Sequence, residues 1–427
     1  MIRLMLISMC LLFFLFTQVM TAYLLVKPFL EPKWYIDLDH QRINETDFFQ
    51  YVQAGQLATS PLAHRVYDPE VQKTWHDELT APLKAPKVFY NQQPPFLYPL
   101  LIPLAWFPYN VAYLLWCLGQ SAAGLTAVYF LSGLNFKTRK EKVIFLMAVF
   151  ASFPSYLCLW HGNTAFWLLG ALGCYTYFWL RKKDIAAGAF FALSTGKPQY
   201  SMIMILPSLA NWRWKIMATA AVIEMLLLVW AALFIGTENI VNYPQILSNA
   251  ESNPNFIGVN SMGMVSLRGL YSRFLPAATV THDSLIASTI TMITCLAPIA
   301  WLWWRTSQPS TKNADHQQRC LLSITVLLAL ILSPHSQQFD CLLIAIPAAL
   351  MLPSLDIFQI CALKSAPLRI FSVTLLVYPF VSWMPNFTLG RQYESIPYLI
   401  VNLILLASLF CYFREGKRNG GDLGNEL

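Results

Sequence analysis

Asp47, Lys197 and His335 have the types and settings that could do chemistry, though they lie far apart along the chain. Asp47 opens the stretch Asp47-Phe48-Phe49-Gln50-Tyr51-Val52-Gln53-Ala54-Gly55, whose spacing puts Asp47, Tyr51 and Ala54 on one helix face. A carboxylate there can take the proton of an attacking hydroxyl as a general base. It can equally be a helix cap, with Thr46 or Asp47 as the capping residue. Lys197 stands in Gly196-Lys197-Pro198-Gln199, a break inside an apolar stretch. A lysine near a helix end can snorkel to a membrane interface, whereas a cation kept in apolar surroundings needs an anion, and a phosphate would serve. His335 lies in Ser333-Pro334-His335-Ser336-Gln337-Gln338-Phe339-Asp340 with the Asp340 carboxylate close by, a pairing suited to proton transfer or phosphate binding. His161, in Trp160-His161-Gly162-Asn163, invites the same reading.

Arg268 is a second candidate for anion contact; it follows the amide-rich stretch Asn253 to Met264, which includes Asn260. Glu224 is an isolated acid in an apolar run, for which a hydrogen bond to a neighbouring helix is a sufficient explanation. The nine cysteines lie almost entirely in or beside apolar runs, and no CxxC or HExxH pattern occurs, so neither a disulfide framework nor a metal centre is expected. GxGxxG and Walker A loops are absent too, and no polar stretch is long enough for a nucleotide-sugar domain. Any donor should therefore arrive through the membrane or the outer aqueous phase.

The elements that must position these residues are membrane helices. Of 427 residues, 56% are hydrophobic and 12% charged, against about 25% charged in a globular domain. With apolar runs recurring along the whole length, this composition predicts an all-α polytopic membrane protein of a single integral domain, 1–427. The run Leu4 to Val26 is too long for a signal-peptide core and is expected to be the first span. The net charge of +7 is not a nucleic-acid signature, because the basic residues come in short bursts between apolar runs. The bursts around Arg139, Lys182, Arg213, Arg305, Arg369 and Arg414, together with Arg3, contain 18 of the 29 Lys and Arg residues. The positive-inside rule puts them, and both termini, in the cytoplasm. It leaves a first outer loop at 27–93, a second at 237–284 and a cytoplasmic tail at 414–427.

Residues 143–180, 185–210 and 320–353 are each bounded by inner charge on both sides, so each must enter the membrane and return. The stretch 185–210 allows two arms of about 12 residues, roughly 18 Å each, against a hydrocarbon core of about 30 Å. Their tips carry His161, Lys197 and His335. Broken polar backbone at membrane depth is tolerated only where protein or a water-filled cavity covers it. The three tips are therefore expected to share one outward-facing cavity beneath the first loop, within about 10–12 crossings or half-crossings.

Taken in chain order, these residues resemble glycosyltransferase family 87. The resemblance rests on D-F-x-x-Y-x-x-A-G at Asp47, Tyr67-Asp68, Pro94-Pro95 ahead of Tyr98, and His161-Gly162-Asn163. It continues with Ala187-Gly188 through Lys197-Pro198, Asn260-Ser261, and Ser333-Pro334-His335 followed by Asp340. One departure is Gln93 directly before the double proline, where the family usually has tyrosine. The resemblance implies a GT-C-type fold and transfer of a hexose, commonly mannose, from a polyprenyl-phosphate carrier to a lipid-linked or other outer-leaflet acceptor. It implies Asp47 as general base, with Lys197 and His335 at the donor phosphate; from their own settings His335 is also expected to do catalytic work, and Arg268 and His161 to contact the donor phosphate. Tyr51, Gln199, Asn260 and Asp340 are expected to contact substrate. No metal or other cofactor is expected beyond the lipid-linked sugar, and partners are the donor, a lipid or glycan acceptor and membrane lipids, with no nucleic acid. Inversion of a β-linked donor would give an α-linkage.

Two other classes fit parts of the pattern. Glu224 and the broken half-helices suit a lipid or solute transporter, and the same topology would serve an undecaprenyl-linked glycan polymerase or ligase. The sequons at Asn44 and Asn386 would face the lumen in a eukaryote, and a glycan on Asn44 would crowd Asp47. A bacterial inner membrane, with the active site facing the periplasm, is the expected location.

Overall fold

The computed structural model describes residues 2–31, 35–39, 42–43, 46–84, 90–252, 261–276, 278–306, 314–355, 357–383 and 395–418. The first helix, α1 (Ile2–Leu30), runs through Lys27 and Pro28, so the long first loop starts slightly later than expected. That loop holds a two-residue antiparallel ladder pairing Ile36 with Ile43 and Asp37 with Arg42. It also contains α2 (Asp47–Ala58) and α3 (Pro69–Thr80). The chain re-enters through a stack of short turns, Pro95–Leu97, α4 (Tyr98–Leu101) and Ile102–Trp106, then crosses in α5 (Tyr109–Asn135).

Three helical hairpins follow the plan read from the charge pattern. α6 (Arg139–Ala151) and α7 (Phe153–His161) rise to a break at Gly162, and α8 (Ala165–Leu180) returns. α9 (Asp184–Ser194) rises to the break at Lys197, and α10 (Pro198–Met204) with α11 (Leu206–Ala210) returns. After α12 (Trp214–Ile235) come α13 (Thr237–Val241), α14 (Tyr243–Ser252), α15 (Leu267–Tyr271) and the long α16 (Val280–Thr306). α17 (Ala314–Leu332) rises to the Ser333–Gln337 turn; a 3-10 segment, Gln338–Ile344, and α18 (Ala345–Met351) return. α19 (Ile357–Cys361), α20 (Ala366–Val381) and α21 (Ile396–Arg418) complete the described chain.

Among the described residues five helices are long and apolar enough to cross a membrane: α1, α5, α12, α16 and α21. α6 and α7 make a sixth if taken as one span bent by 54°. The bend has a local cause, because Ser152 is extended and Pro154 in the first turn of α7 supplies no N–H to continue the α6 ladder. The remaining apolar stretches, Pro95–Trp106, α8, α9, Gln338–Met351 and α20, are shorter, giving the expected mixture of full and partial crossings.

Burial separates rim from centre. The apolar windows of α1, α12 and α16 are only 17% buried, as helices bathed in lipid should be. α8 is enclosed along most of its length, and its Gly170 and Gly173 lie directly against Ala123 and Ala127 of α5. Without a hydrophobic drive between helices in lipid, such small-residue contacts let backbones approach and gain dispersion energy.

Local signals set the starts and stops. Thr138 and Glu141 form a capping box at the head of α6. Asp68 caps α3 by accepting from the Glu70 and Val71 N–H groups, with Pro69 behind it. The Arg65 guanidinium and these N–H groups hold the Asp68 carboxyl below the usual carboxylate range. The stabilisation is therefore present above the unfolded pKa and is lost as pH falls through the folded one. Asp68→Ala should cost the outer loop about 1 kcal/mol, and acid titration of loop hydrogen exchange should lose its Asp68-dependent step. Gly162 ends α7 in the left-handed conformation at φ 61°, where an added Cβ would enter Phe48. Gly162→Ala should lower the thermal midpoint in detergent by the equivalent of about 1 kcal/mol or more and depress activity with it.

Candidate active site

Asp47 is held by the seat of α2. Phe48 packs edge-on to Tyr109 and Tyr113 of α5, with ring centroids 5.2 and 5.3 Å away. Tyr51 lies over Trp116 at 4.9 Å. Each such aromatic pair adds about 0.5–1.5 kcal/mol beyond burial, so the first turn of α2 is clamped to the N-terminal end of α5. Trp116 also donates to the Gly162 carbonyl at 2.6 Å, tying the same patch to the first hairpin tip.

Thr46 occupies the N-cap of α2, but no side-chain cap bond forms, and Asp47 stands inside the helix. The capping explanation of Asp47 thus falls away. Its Oδ2 instead accepts from the Asn163 amide at the first tip. Asn163 Oδ1 accepts from Lys197 Nζ at 3.2 Å, and Lys197 Nζ donates to Asp340 Oδ1 at 2.5 Å. One chain of contacts, Asp47–Asn163–Lys197–Asp340, joins the long first loop to all three tips. The Asp340 side chain is 0% exposed and that of Lys197 15% exposed, so the ion pair is sheltered but reachable. Phe339 adds its ring face 5.0 Å from the ammonium.

The third tip is pinned from several sides. Gln199 Nε2 donates to the His335 carbonyl at 3.1 Å, Tyr200 OH to Ser336 Oγ at 2.9 Å, and Val265 N to the Ser336 carbonyl at 2.8 Å. Asp340 closes the turn by accepting from Gln337 N at 3.0 Å. Arg268, expected near the donor phosphate, is fully buried, and its guanidinium donates to the Pro334 carbonyl at 2.9 Å and the Thr281 carbonyl at 3.2 Å. With a further contact to Ser284 Oγ, these bonds brace the turn that carries His335.

The other expected site residues are placed as follows. His161 is half-buried at the end of α7, its ring 6.4 Å from Phe339 and within the field of Asp47. His335 is half-buried on the third tip. Tyr51 is buried beside Asp47, with its hydroxyl paired to Thr164. Burial first, and the Asp47 charge second, hold its phenol well above the ordinary range, so it stays neutral. Gln199 uses its amide on the His335 carbonyl, and Asp340 is the anion of Lys197. Asn260 lies outside the described residues. Glu224 of α12 accepts from Thr195, the simple interhelical bond that its sequence setting allowed.

Asn163 is the residue that sequence reasoning passed over. Its side chain, only 6% exposed, faces a carboxylate with its amide nitrogen and an ammonium with its oxygen. Its neighbour Gly162 was the available signal, because a left-handed glycine re-aims the next side chain out of the helix line. Asn163→Leu should leave both Asp47 and Lys197 short of a partner and lower turnover about tenfold or more; initial rates at saturating donor would measure this.

Chemically the cluster offers a half-exposed carboxylate and, across the Asn163 spacer, a cation with hydrogen-bonding capacity left. Asp47, Lys197 and Asp340 together carry one net negative charge, so an anionic ligand would need further positive charge or hydrogen-bond donors. Among the described residues no three His, Cys, Asp or Glu side chains gather as a metal site would require.

A sequence model of glycosyltransferase family 87 matches residues 92–334. Asn163 and Lys197 lie inside that stretch, and their partners lie outside it, Asp47 well before its start and Asp340 shortly after its end. Among curated proteins none matches the chain.

Proposed function

From the premise that the chain belongs to glycosyltransferase family 87 and is a membrane glycosyltransferase, we propose that it transfers a hexose, mannose first among the candidates, from a polyprenyl-phosphate sugar to a lipid-linked or outer-leaflet acceptor. The observation that carries this reading is the chain of contacts from Asp47 to Asp340, which gathers a base and a cation where the three hairpins end.

In the proposed reaction the acceptor hydroxyl gives its proton to Asp47 Oδ1 as its oxygen attacks the anomeric carbon. The bond from that carbon to the phosphate oxygen breaks on the opposite face, and the polyprenyl phosphate leaves with the electron pair. Asn163 holds Oδ2, which fixes the direction in which Oδ1 points. Lys197 has three N–H donors; Asn163 and Asp340 take two, and the third is assigned to a phosphate oxygen, beside His335 and His161. Arg268 and Gln199 keep the His335 turn in place. Attack opposite the leaving group inverts the anomeric centre, so a β-linked donor yields an α-linkage. The reading places the cluster on the outer side of a bacterial inner membrane, with both termini inside, in line with the inner position of the basic bursts.

Membranes containing the protein, supplied with a radiolabelled polyprenyl-phosphate hexose, should produce a labelled lipid or glycan of inverted configuration. Direct use of a nucleotide sugar, with carrier charging blocked, would sink the proposal.

A further inference from the structure

On the membrane face away from Lys197, an apolar notch of about 330 Å³ opens between α11 and α16. Leu206, Leu209 and Ala210 form one wall, and Ala300, Trp301 and Trp304 the other. Its mouth is basic. Arg305 stands over the Trp301 ring at 5.2 Å and is exposed. Arg213, three residues beyond Ala210, donates to the Trp179 carbonyl at 2.6 Å, and the Trp179 ring meets Trp303 of α16 at 5.7 Å. These contacts bring the exposed turn Arg181-Lys182-Lys183 and Lys215 to the same end of the helices. Arg213 is paired with Asp184, which leaves the other cations of this rim in excess.

Two details show a built surface rather than a chance concavity. Lys182 and Trp212 are the non-glycine residues with left-handed backbone among those described, at φ 56° and 52°, and both belong to this rim. A bulky residue in that conformation is uncommon and must be held by its surroundings. The strain presents Trp212, 67% exposed, next to Trp214 with ring centroids 5.4 Å apart. Tryptophan side by side with lysine and arginine, above an apolar cleft, suits the headgroup level of a bilayer.

We propose that this notch binds an anionic phospholipid, with an acyl chain between α11 and α16 and the phosphate at Arg305 and the neighbouring lysines. An apolar wall alone would accept any lipid; the unbalanced positive rim selects a negative headgroup, each basic group near the surface being worth a several-fold preference. The site lies beyond the opposite end of α9 from Lys197, roughly 16 Å of helix away, and is separate from the transfer chemistry.

The test is native mass spectrometry of the full chain in detergent, titrated with phosphatidylglycerol or phosphatidylcholine. The expected result is selective retention of one phosphatidylglycerol. Arg305→Gln should reduce that retention about fivefold. Ala300→Phe fills the notch without changing charge and should bring retention down to the phosphatidylcholine level. Trp304→Ala, which removes one wall, should weaken it as well and serves if the larger side chain disturbs folding. Equal retention of the two lipids by the parent protein would overturn the proposal. So would a phosphatidylglycerol preference that survives all three substitutions, since general surface attraction would then explain it.

Discussion

Replacing Asp47 by Asn is expected to reduce sugar transfer by about 10²- to 10⁴-fold, the usual contribution of a positioned general base, while leaving the protein folded in the membrane. The substitution is nearly isosteric, and the Asn side-chain oxygen can still accept from Asn163, so the link between the outer loop and the first tip survives. Phe48 and Tyr51, which clamp α2 onto α5, are untouched. Only the capacity to take the hydroxyl proton is removed. Donor affinity should stay close to that of the parent, because the phosphate is assigned to the other end of the cluster. Initial rates and donor binding in membranes of matched protein content would show this split; a variant with full activity would remove Asp47 from the mechanism.

Lys197→Met should be damaging in two separable ways. It leaves the Asp340 carboxylate, which is 0% exposed, without its cation, and breaking one side of a buried pair costs about 3–5 kcal/mol. It also removes the donor assigned to the phosphate. Adding Asp340→Asn to the same chain neutralises the stranded carboxylate and should restore most of the stability, but not the activity. Across the four combinations the thermal midpoint should therefore recover in the double variant while the rate stays low. Recovery of both in the double variant would mean that Lys197 serves the fold alone.

Much of this arrangement was legible in the chain. Basic bursts on both sides of 185–210 forced a short hairpin, and α9 and α10 meet at Lys197 as that reasoning required. The same logic put His161 and the Ser333–Asp340 turn at the ends of two more hairpins. Side-chain direction was harder to read. Asp47 looked like a possible cap because a helix start invites one, and only the contact with Asn163, far along the sequence, shows what it faces. Arg268 was a candidate for anion contact by its type alone; its long side chain reaches the carbonyl of Pro334 in the third tip and that of Thr281. Asp340 drew attention as a neighbour of His335, yet the groups it binds include Lys197 and the Gln337 N–H. In each case type and spacing identified a residue of interest, and the partner was set by packing between distant segments, to which local periodicity is blind.

Sugar transfer is proposed to occur where the long first loop meets the three hairpin tips. The most direct test is a structure of the full chain with a non-transferable polyprenyl-phosphonate sugar. Phosphonate oxygens should lie within hydrogen-bonding distance, about 2.7–3.2 Å, of Lys197 Nζ and a ring nitrogen of His335 or His161. Asp47 Oδ1 should lie on the far side of the anomeric carbon, with room between them for a hydroxyl. A phosphonate bound elsewhere, with Asp47 facing no part of the sugar, would contradict it.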